Sequence, residues 1–250
     1  PTLSRELRQS DFDVLIACGW DAPAFFQAGR YCKRAGRPFV LWSGSTPAES
    51  SWYRTCSLPF VRGLVNCARS WVAYGTRAKE YLITLGANPE RVFCAYNTVE
   101  LEYFGRCSVL SPEEIATVKE RLGIRARHVI LYCGNILAMK GIAYLLRGFA
   151  EFDPVGYDAA LLLVGSGKDE TRFREFAVRL GIGDRVFFAG YTERSALPRY
   201  YGIADVLVHP SLSEVWGLVI NEALACGVPV IATEICGAVA DLLCPGENGY

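Results

Sequence analysis

Two glutamates stand eight positions apart in an otherwise uncharged stretch, SLSEVWGLVINEALACGVPV, at residues 211–230. The pattern predicts that Glu214 lies in a loop after a strand, and that Glu222 lies about a turn and a half into a helix beginning near Gly217. A helix start offers free N–H groups and partial positive charge, which suit a phosphate, and Gly217 permits close backbone approach. Flanking carboxylates could then accept hydrogen bonds from hydroxyls on either side of a diphosphate, those of a sugar and those of a ribose.

The same residues have a plainer interpretation, which the spacing alone favours. Glu214 would be a solvated acid that compensates the helix dipole, and Glu222 would lie on an outer helix face. Trp216 would be an ordinary core residue.

Two more loops that follow predicted strands carry features suited to phosphate. The loop GNILAMKG, at 134–141, places Lys140 at a helix start, where a cation is disfavoured unless an anion binds there. The alternative is that Lys140 is solvated on its long stem. The loop VGSGKDE, at 164–170, has two close glycines, a weak signal that most often marks a tight turn.

The elements that must position these loops alternate between short apolar runs and helical stretches, as in βα units with a parallel sheet. Strands are predicted at 12–17, 38–42, 70–74, 91–96, 128–134, 159–165, 185–190, 204–210 and 229–233. Helices are predicted at 22–35, 58–69, 76–85, 140–152, 168–180, 193–201 and 217–226. The segment 97–127 has few strand signals and contains a polar helix predicted at 111–124, so we place the domain boundary there, between 1–105 and 106–250. Ligands of doubly wound sheets bind outside the carboxyl ends of the strands, where these loops fall.

Composition excludes several classes of protein. The net charge is zero, so no global field attracts nucleic acid, and no apolar run is long enough for a membrane span. The ten cysteines form no C-x-x-C pair and neither histidine has cysteines at metal spacing, so we expect reduced thiols in a cytoplasmic protein and no metal site. The chain begins at Pro1 and ends in PGENGY, and we expect a fragment clipped at both ends.

The segment HPSLSEVWGLVINEALACGVPVIAT closely resembles the donor-site signature of retaining GT-B glycosyltransferases of family 4 (glycosyl transferases group 1). That signature is a Glu, seven residues, a second Glu, then a helix and CGVPV. YCGNILAMKGIAYLLRGFAEF, LLLVGSGKD, VFFAGYTERSALPRYYGIADVLVHPS and ICGAVADLLCPGENGY follow the family's order and spacing. The resemblance covers most of 11–250. It implies an α/β fold of two Rossmann-like domains facing across a cleft, the N-terminal one incomplete and the C-terminal one truncated.

The resemblance also implies a reaction, the transfer of a sugar from a UDP- or GDP-linked donor to a glycan or lipid-linked acceptor, with retention and without a cofactor or metal. Glu214 would contact the donor sugar and Glu222 the ribose, while Lys140 would pair with the diphosphate. Glu214 and Lys140 would be catalytic, and the loop 190–192 would lie near the base. The implied donor-binding residues are Gly134, Asn135, Lys140, Gly165, Gly190, Tyr191, Thr192, Glu214, Trp216, Gly217, Leu218 and Glu222, and the acceptor-side residues are Ser43 and Ser45.

Two departures from the family pattern keep other functions open. Asn135 stands where the family commonly has arginine, and the loop at 43–46 lacks the histidine found in many members. One alternative is a nucleotide-sugar epimerase or hydrolase of the same fold, although His128 and His209 are the only histidines available for acid–base work. The other is a non-catalytic module that binds nucleotide sugars.

Basic and aromatic residues are mixed over 52–81, and acids are nearly absent there until Glu80. This pattern would suit peripheral contact with an anionic membrane face. An ordinary helix with buried aromatics and snorkelling arginines is the alternative, which the pattern favours slightly. The residues concerned are Trp52, Tyr53, Arg54, Phe60, Arg62, Arg69, Trp71, Arg77 and Lys79.

Overall fold

The computed structural model describes residues 3–49 and 52–250 and divides the chain into two compact units, Pro1–Asn97 and Thr98–Tyr250. The sequence pattern placed this boundary later, between 105 and 106. The difference arises because helix α5, Leu101–Cys107, packs against two helices of the second unit.

The first unit contains a parallel sheet in the order β1-β2-β3-β4. Its strands are β1 (Leu15–Cys18), β2 (Phe39–Ser43), β3 (Ser70–Ala73) and β4 (Val92–Cys94), and its helices are α1 (Leu3–Gln9), α2 (Pro23–Ala35), α3 (Trp52–Val65) and α4 (Thr76–Thr84). Every second residue of β2 and β3 is buried, which is the period expected of a strand with one face in a core. The carboxyl end of β2 carries the loop with Ser43 and Ser45.

The second unit contains a parallel sheet in the order β7-β6-β5-β8-β9. Its strands are β5 (His128–Cys133), β6 (Ala159–Val164), β7 (Val186–Gly190), β8 (Val206–His209) and β9 (Val230–Ala232), and its helices after α5 are α6 (Pro112–Leu122), α7 (Ile142–Glu151), α8 (Glu170–Arg179), α9 (Leu197–Tyr201), α10 (Leu218–Ala225) and α11 (Val239–Leu242). All six residues of β6 are buried, as expected for a parallel strand covered on both faces.

The chain runs outward from β5 through β6 to β7 and then returns to place β8 on the other side of β5. The order therefore reverses between β5 and β8. In open α/β sheets this point leaves a crevice outside the carboxyl ends of the two strands, because the connections that follow them diverge. The sequence places the loops carrying Lys140 and Glu214 after these two strands.

The alternation of apolar runs and helical stretches predicted the strands correctly, with each observed strand inside or within one residue of its predicted range. Helices α1, α5 and α11 were not predicted. Two of them, α1 and α5, have seven residues and α11 has four, so none is long enough to show a clear helical period.

The mixed basic and aromatic stretch is only partly a surface. Trp71 is buried in the first unit's core and donates its indole N–H to the Val65 carbonyl at 3.2 Å, so for this residue the favoured interpretation as a buried aromatic is correct and the membrane-facing one is wrong. The reason is that β3 turns Trp71 and Ala73 towards the core. Phe60 is exposed, and the side chains of Trp52, Tyr53 and Arg54 lie outside the described residues.

Two further findings concern membrane-spanning helices and disulfide bonds. No helix in the described ranges combines the length and apolar character needed to cross a lipid bilayer. The ten cysteines all fall in the described part of the chain, and none of them forms a disulfide.

Candidate functional site

The loops after β5 and β8 are joined directly by the backbone. Leu212 donates its N–H to the Met139 carbonyl at 2.9 Å, which fastens the second loop to the short 3-10 turn Ala138–Lys140. Gly141 follows that turn with φ 73°, and a Cβ there would come within 1.8 Å of the Pro210 carbonyl oxygen. Only glycine therefore permits this approach, since another residue would force the two loops apart.

This approach brings three polar side chains together. Lys140 Nζ lies 2.8 Å from Glu214 Oε2, and His209 Nε2 lies 3.2 Å from the same oxygen. The side chains of Lys140 and Glu214 are 17% and 18% exposed, and that of His209 is 3% exposed. The interpretations of Lys140 and Glu214 as solvated surface groups are therefore wrong.

The environment of Glu214 favours its ionised form. Burial raises the pKa of the carboxyl, but the hydrogen bonds from His209 and Lys140 and the charge of Lys140 outweigh burial and lower the pKa to about 2. The carboxylate is thus a permanent acceptor at neutral pH. It also neutralises an ammonium group that would otherwise be half-buried without a counter-ion.

Glu222 is buried on α10 at 8% exposure, so the prediction that it lies on an outer helix face is wrong. Tyr201, at the end of α9, donates its hydroxyl to Glu222 Oε2 at 2.7 Å. Burial raises the pKa of Glu222, and the Tyr201 hydrogen bond and the charge of Arg194 offset that rise only in part. Glu222 interacts electrostatically with Cys133, the last residue of β5, and its charge together with burial raises the pKa of that thiol to about 12.

Helix α10 begins without a side-chain cap. Its N-cap is Gly217, at φ 94° in the left-handed region, which has no side chain to cap the first turn. Glycine tolerates this conformation at little cost, whereas other residues would be strained. The uncapped amide groups of this first turn carry the partial positive charge of the helix dipole close behind Glu214 in the chain.

The glycines at the carboxyl ends of β5, β6 and β7 line the same edge of the sheet. Gly134 donates its N–H to the Val164 carbonyl and Gly165 donates to Gly190, each at 2.9 Å. Asn135 and Tyr191 are exposed beside these glycines and Thr192 is half-buried. These predicted donor residues therefore share one edge of the second unit.

Three predicted residues stand apart from this picture. Trp216 is 3% exposed and donates its indole N–H to Asn221 Oδ1 at 2.9 Å, which favours the core interpretation over a donor contact. Ser43 and Ser45 belong to the first unit, where Ser43 Oγ accepts a hydrogen bond from the Ser45 amide at 3.2 Å.

Across the described ranges, His, Cys, Asp and Glu side chains form no cluster of three or more that could hold a metal ion.

The sequence did not predict that Tyr201 contacts Glu222 or that His209 contacts Glu214. His209 had no clear signal, because the other residues of β8 are all apolar, and the alternation that places Leu207 and His209 on the buried face appears only in the structure. Tyr201 had none, since its contact with Glu222 spans 21 positions and depends on how α9 and α10 pack.

A family model described as "Glycosyl transferases group 1" matches residues 115–250. The D-inositol 3-phosphate glycosyltransferase of Mycobacteroides abscessus is 37% identical over 164 residues, which are 62% of this chain and 35% of that protein. The alpha-D-kanosaminyltransferase of Streptomyces kanamyceticus is 30% identical over 134 residues, which are 54% of this chain and 34% of that protein. The chain thus spans about a third of the length of these curated relatives.

Solved structures show the same fold. Anabaena Alr3699/HepE in complex with UDP superposes with a TM-score of 0.82 at 24% identity, over 99% of this chain and 67% of that one. The apo form of the lipopolysaccharide outer core galactosyltransferase WaaB has a TM-score of 0.74 at 20% identity, over 99% and 64%. With the two parallel α/β units, these matches confirm the GT-B fold class.

Removing the charge of Glu214 and removing that of Glu222 should have different effects on the free energy of unfolding. We expect Glu214→Gln to lower the free energy of unfolding by about 1–3 kcal/mol, because Lys140 loses its counter-ion. Glu222→Gln should change it by less than about 0.5 kcal/mol or raise it, because the amide can still accept from Tyr201 without burying a charge. Urea titration at pH 7 measures both. The exposed Glu175→Gln is the control and should be neutral.

The loss in Glu214→Gln should also depend on pH. Since the folded-state pKa of Glu214 is below its ordinary value of 4.5, its contribution is complete above pH 4.5 and disappears as the pH falls towards 2. The difference from wild type should therefore shrink over this range. A difference that stays constant with pH would contradict the ion pair.

Proposed function

Because the chain belongs to the glycosyl transferases group 1 family, we propose that it transfers a glycosyl unit from a nucleotide-sugar donor to an acceptor hydroxyl. We further propose UDP- or GDP-linked donors, retention at the anomeric carbon, a glycan or lipid-linked acceptor and no metal or other cofactor. Two neighbours in fold, both of Anabaena Alr3699/HepE, were solved with UDP and glucose and with UDP-glucose, which supports a nucleotide-sugar donor.

The observation that carries the proposal is the pair of half-satisfied carboxylates at the switch point of the second unit. In Glu214 and in Glu222, Oε2 is held by protein donors, while Oε1 makes no hydrogen bond to any described residue. Each acid thus keeps one oxygen for a ligand hydroxyl. The uncapped start of α10 lies between them in the chain and suits a diphosphate, which is the group between the sugar and the ribose.

Lys140 is suited to stabilise the leaving group. An ammonium has three N–H donors, and within the described part of the chain Lys140 uses one of them, on Glu214. In the proposed reaction the bond from the anomeric carbon to the diphosphate oxygen breaks, the acceptor oxygen bonds to that carbon, and the acceptor proton passes to the departing diphosphate oxygen. The charge that develops on the diphosphate would be met by Lys140 and by the α10 amides, which are fixed in advance.

The acceptor side is proposed from the first unit. The loop at the carboxyl end of β2 contains Ser43, which is buried, and Ser45, which is half-buried. Ser45 is therefore the hydroxyl that can hydrogen-bond a sugar, and it carries no charge. We also propose that the protein works in the cytoplasm, with peripheral contact to an anionic membrane face for a lipid-linked acceptor.

The direct test is a donor screen on the complete protein, with released nucleoside diphosphate as the readout. We expect release with one UDP- or GDP-sugar, increased by the correct acceptor. Binding of the nucleotide without any release would support the non-catalytic module instead. Release of free sugar or an epimerised donor would support the alternative chemistry.

The acids should affect different kinetic steps. We expect Glu222→Ala to weaken nucleoside diphosphate binding by about ten- to hundredfold, since it removes a charged acceptor of ribose hydroxyls. Glu214→Ala should lower kcat by a similar factor and change nucleotide binding little. Calorimetry and steady-state kinetics separate the two effects, with Glu175→Ala as the exposed control. Negligible effects of both variants would contradict the assignment.

A substitution at position 135 should increase donor binding or activity rather than decrease it. Asn135 is exposed after β5 and supplies at most a neutral donor. We expect Asn135→Arg to add a charge-assisted bond to the diphosphate and to tighten donor binding or raise kcat about tenfold. Asn135→Ala is the matched control and should stay near wild type. A loss of activity in the arginine variant would show that the diphosphate lies elsewhere.

A further inference from the structure

His209, which contacts the Glu214 carboxylate, is unusually constrained in position. His209 ends β8 and is 2% exposed, and its ring stacks on Tyr132 with centroids 6.3 Å apart and planes 18° from parallel. Tyr132 is itself fully buried and donates its hydroxyl to the Asn135 carbonyl at 2.8 Å. The imidazole therefore has a fixed plane, set by neighbours that are themselves fixed.

The two ring nitrogens of His209 have different surroundings. Nε2 lies 3.2 Å from Glu214 Oε2, whereas Nδ1 is buried and has no hydrogen-bond partner among the described residues. A hydrogen on Nδ1 would be a buried donor without an acceptor, which is costly. A hydrogen on Nε2 meets a carboxylate. The geometry thus places the ring hydrogen on Nε2, so His209 donates to Glu214.

Lys140 and His209 converge on the same oxygen, but they constrain it differently. An ammonium on a four-carbon stem can follow a moving carboxylate, and its three hydrogens rotate freely. A buried imidazole has one N–H in one direction. His209 is therefore the partner that can set the orientation of the Glu214 carboxylate, while Lys140 mainly supplies charge.

We propose that His209 is a positioning residue for the transfer reaction, which holds Glu214 Oε2 so that Oε1 is presented to a hydroxyl of the transferred sugar. The inference rests on the proposed function and deepens it at the same site. It assigns His209 no contact with the donor and no proton transfer. A misaligned carboxylate would bind the sugar less well in the transition state, where alignment matters most.

Two substitutions at 209 separate positioning from packing. A glutamine amide can place an N–H near the position of Nε2, whereas leucine fills similar space without a donor. We expect His209→Leu to lower kcat about ten- to hundredfold, the loss typical of one hydrogen bond to a charged group. KM for the donor and the dissociation constant of the nucleoside diphosphate should stay within about threefold. His209→Gln should recover most of the kcat.

His128→Gln is the matched control, because His128 is the other histidine of the chain and lies at the opposite end of β5. It should leave kcat unchanged. A folded His209→Leu enzyme with kcat within threefold of wild type would overturn the proposal. Equal losses in the leucine and glutamine variants would overturn it too, since they would indicate packing alone.

A second measurement requires no activity and reads the ring in the wild-type protein. In the complete wild-type protein labelled with 15N-histidine, the signals of His209 should show hydrogen on Nε2 and none on Nδ1. They are assigned by their disappearance in His209→Gln. Hydrogen on Nδ1 would overturn the inference. Failure of the proposed function would look different, because wild type would release no nucleoside diphosphate from any donor while the Nε2–H signal remained.

Discussion

The site depends on one constraint, the pairing of Lys140 with Glu214 across the point where the strand order reverses. Their loops follow β5 and β8, which are adjacent in the sheet although more than seventy residues separate them in the chain. A half-buried ammonium and a half-buried carboxylate are each costly alone, and together they offset that cost. The pair therefore acts together with the Leu212–Met139 backbone hydrogen bond to fix the distance between the two loops.

The two acids illustrate how one helix region can hold carboxylates for different purposes. Glu214 sits among donors that lower its pKa, so its charge stabilises the fold. Glu222 sits where burial raises its pKa, with Tyr201 as its hydroxyl donor, so its charge is a cost to the fold. Groups kept in an unfavourable environment cluster at functional sites, because selection for folding alone would replace them. On stability grounds, Glu222 is thus the stronger indication of a ligand.

Which parts of the fold and of the site the sequence could predict depends on how far apart in the chain the interacting residues lie. Strands and their loops depend on local alternation, so the sequence predicted the sheet elements and placed Lys140, Glu214 and Glu222 at its carboxyl edge. Contacts set by packing were not predictable locally. The Tyr201 hydrogen bond to Glu222 and the approach of Gly141 to Pro210 appear only when helices and loops are assembled. The spacing of the acids alone even favoured a surface role, because spacing carries no information on burial.

The charge balance of the site decides what kind of binding it can offer. Glu214 neutralises Lys140, and Asn135 adds no charge where the resemblance implies arginine, so these three residues present little net positive charge to a diphosphate. Under the proposed function, a diphosphate would then be held chiefly by oriented amides at the start of α10, by the two remaining N–H donors of Lys140, and by the hydroxyl contacts on either side of it. Under the proposed function, such a site would select for the whole nucleotide sugar rather than for phosphate alone, since the flanking hydroxyls would supply the interactions that the missing charge does not.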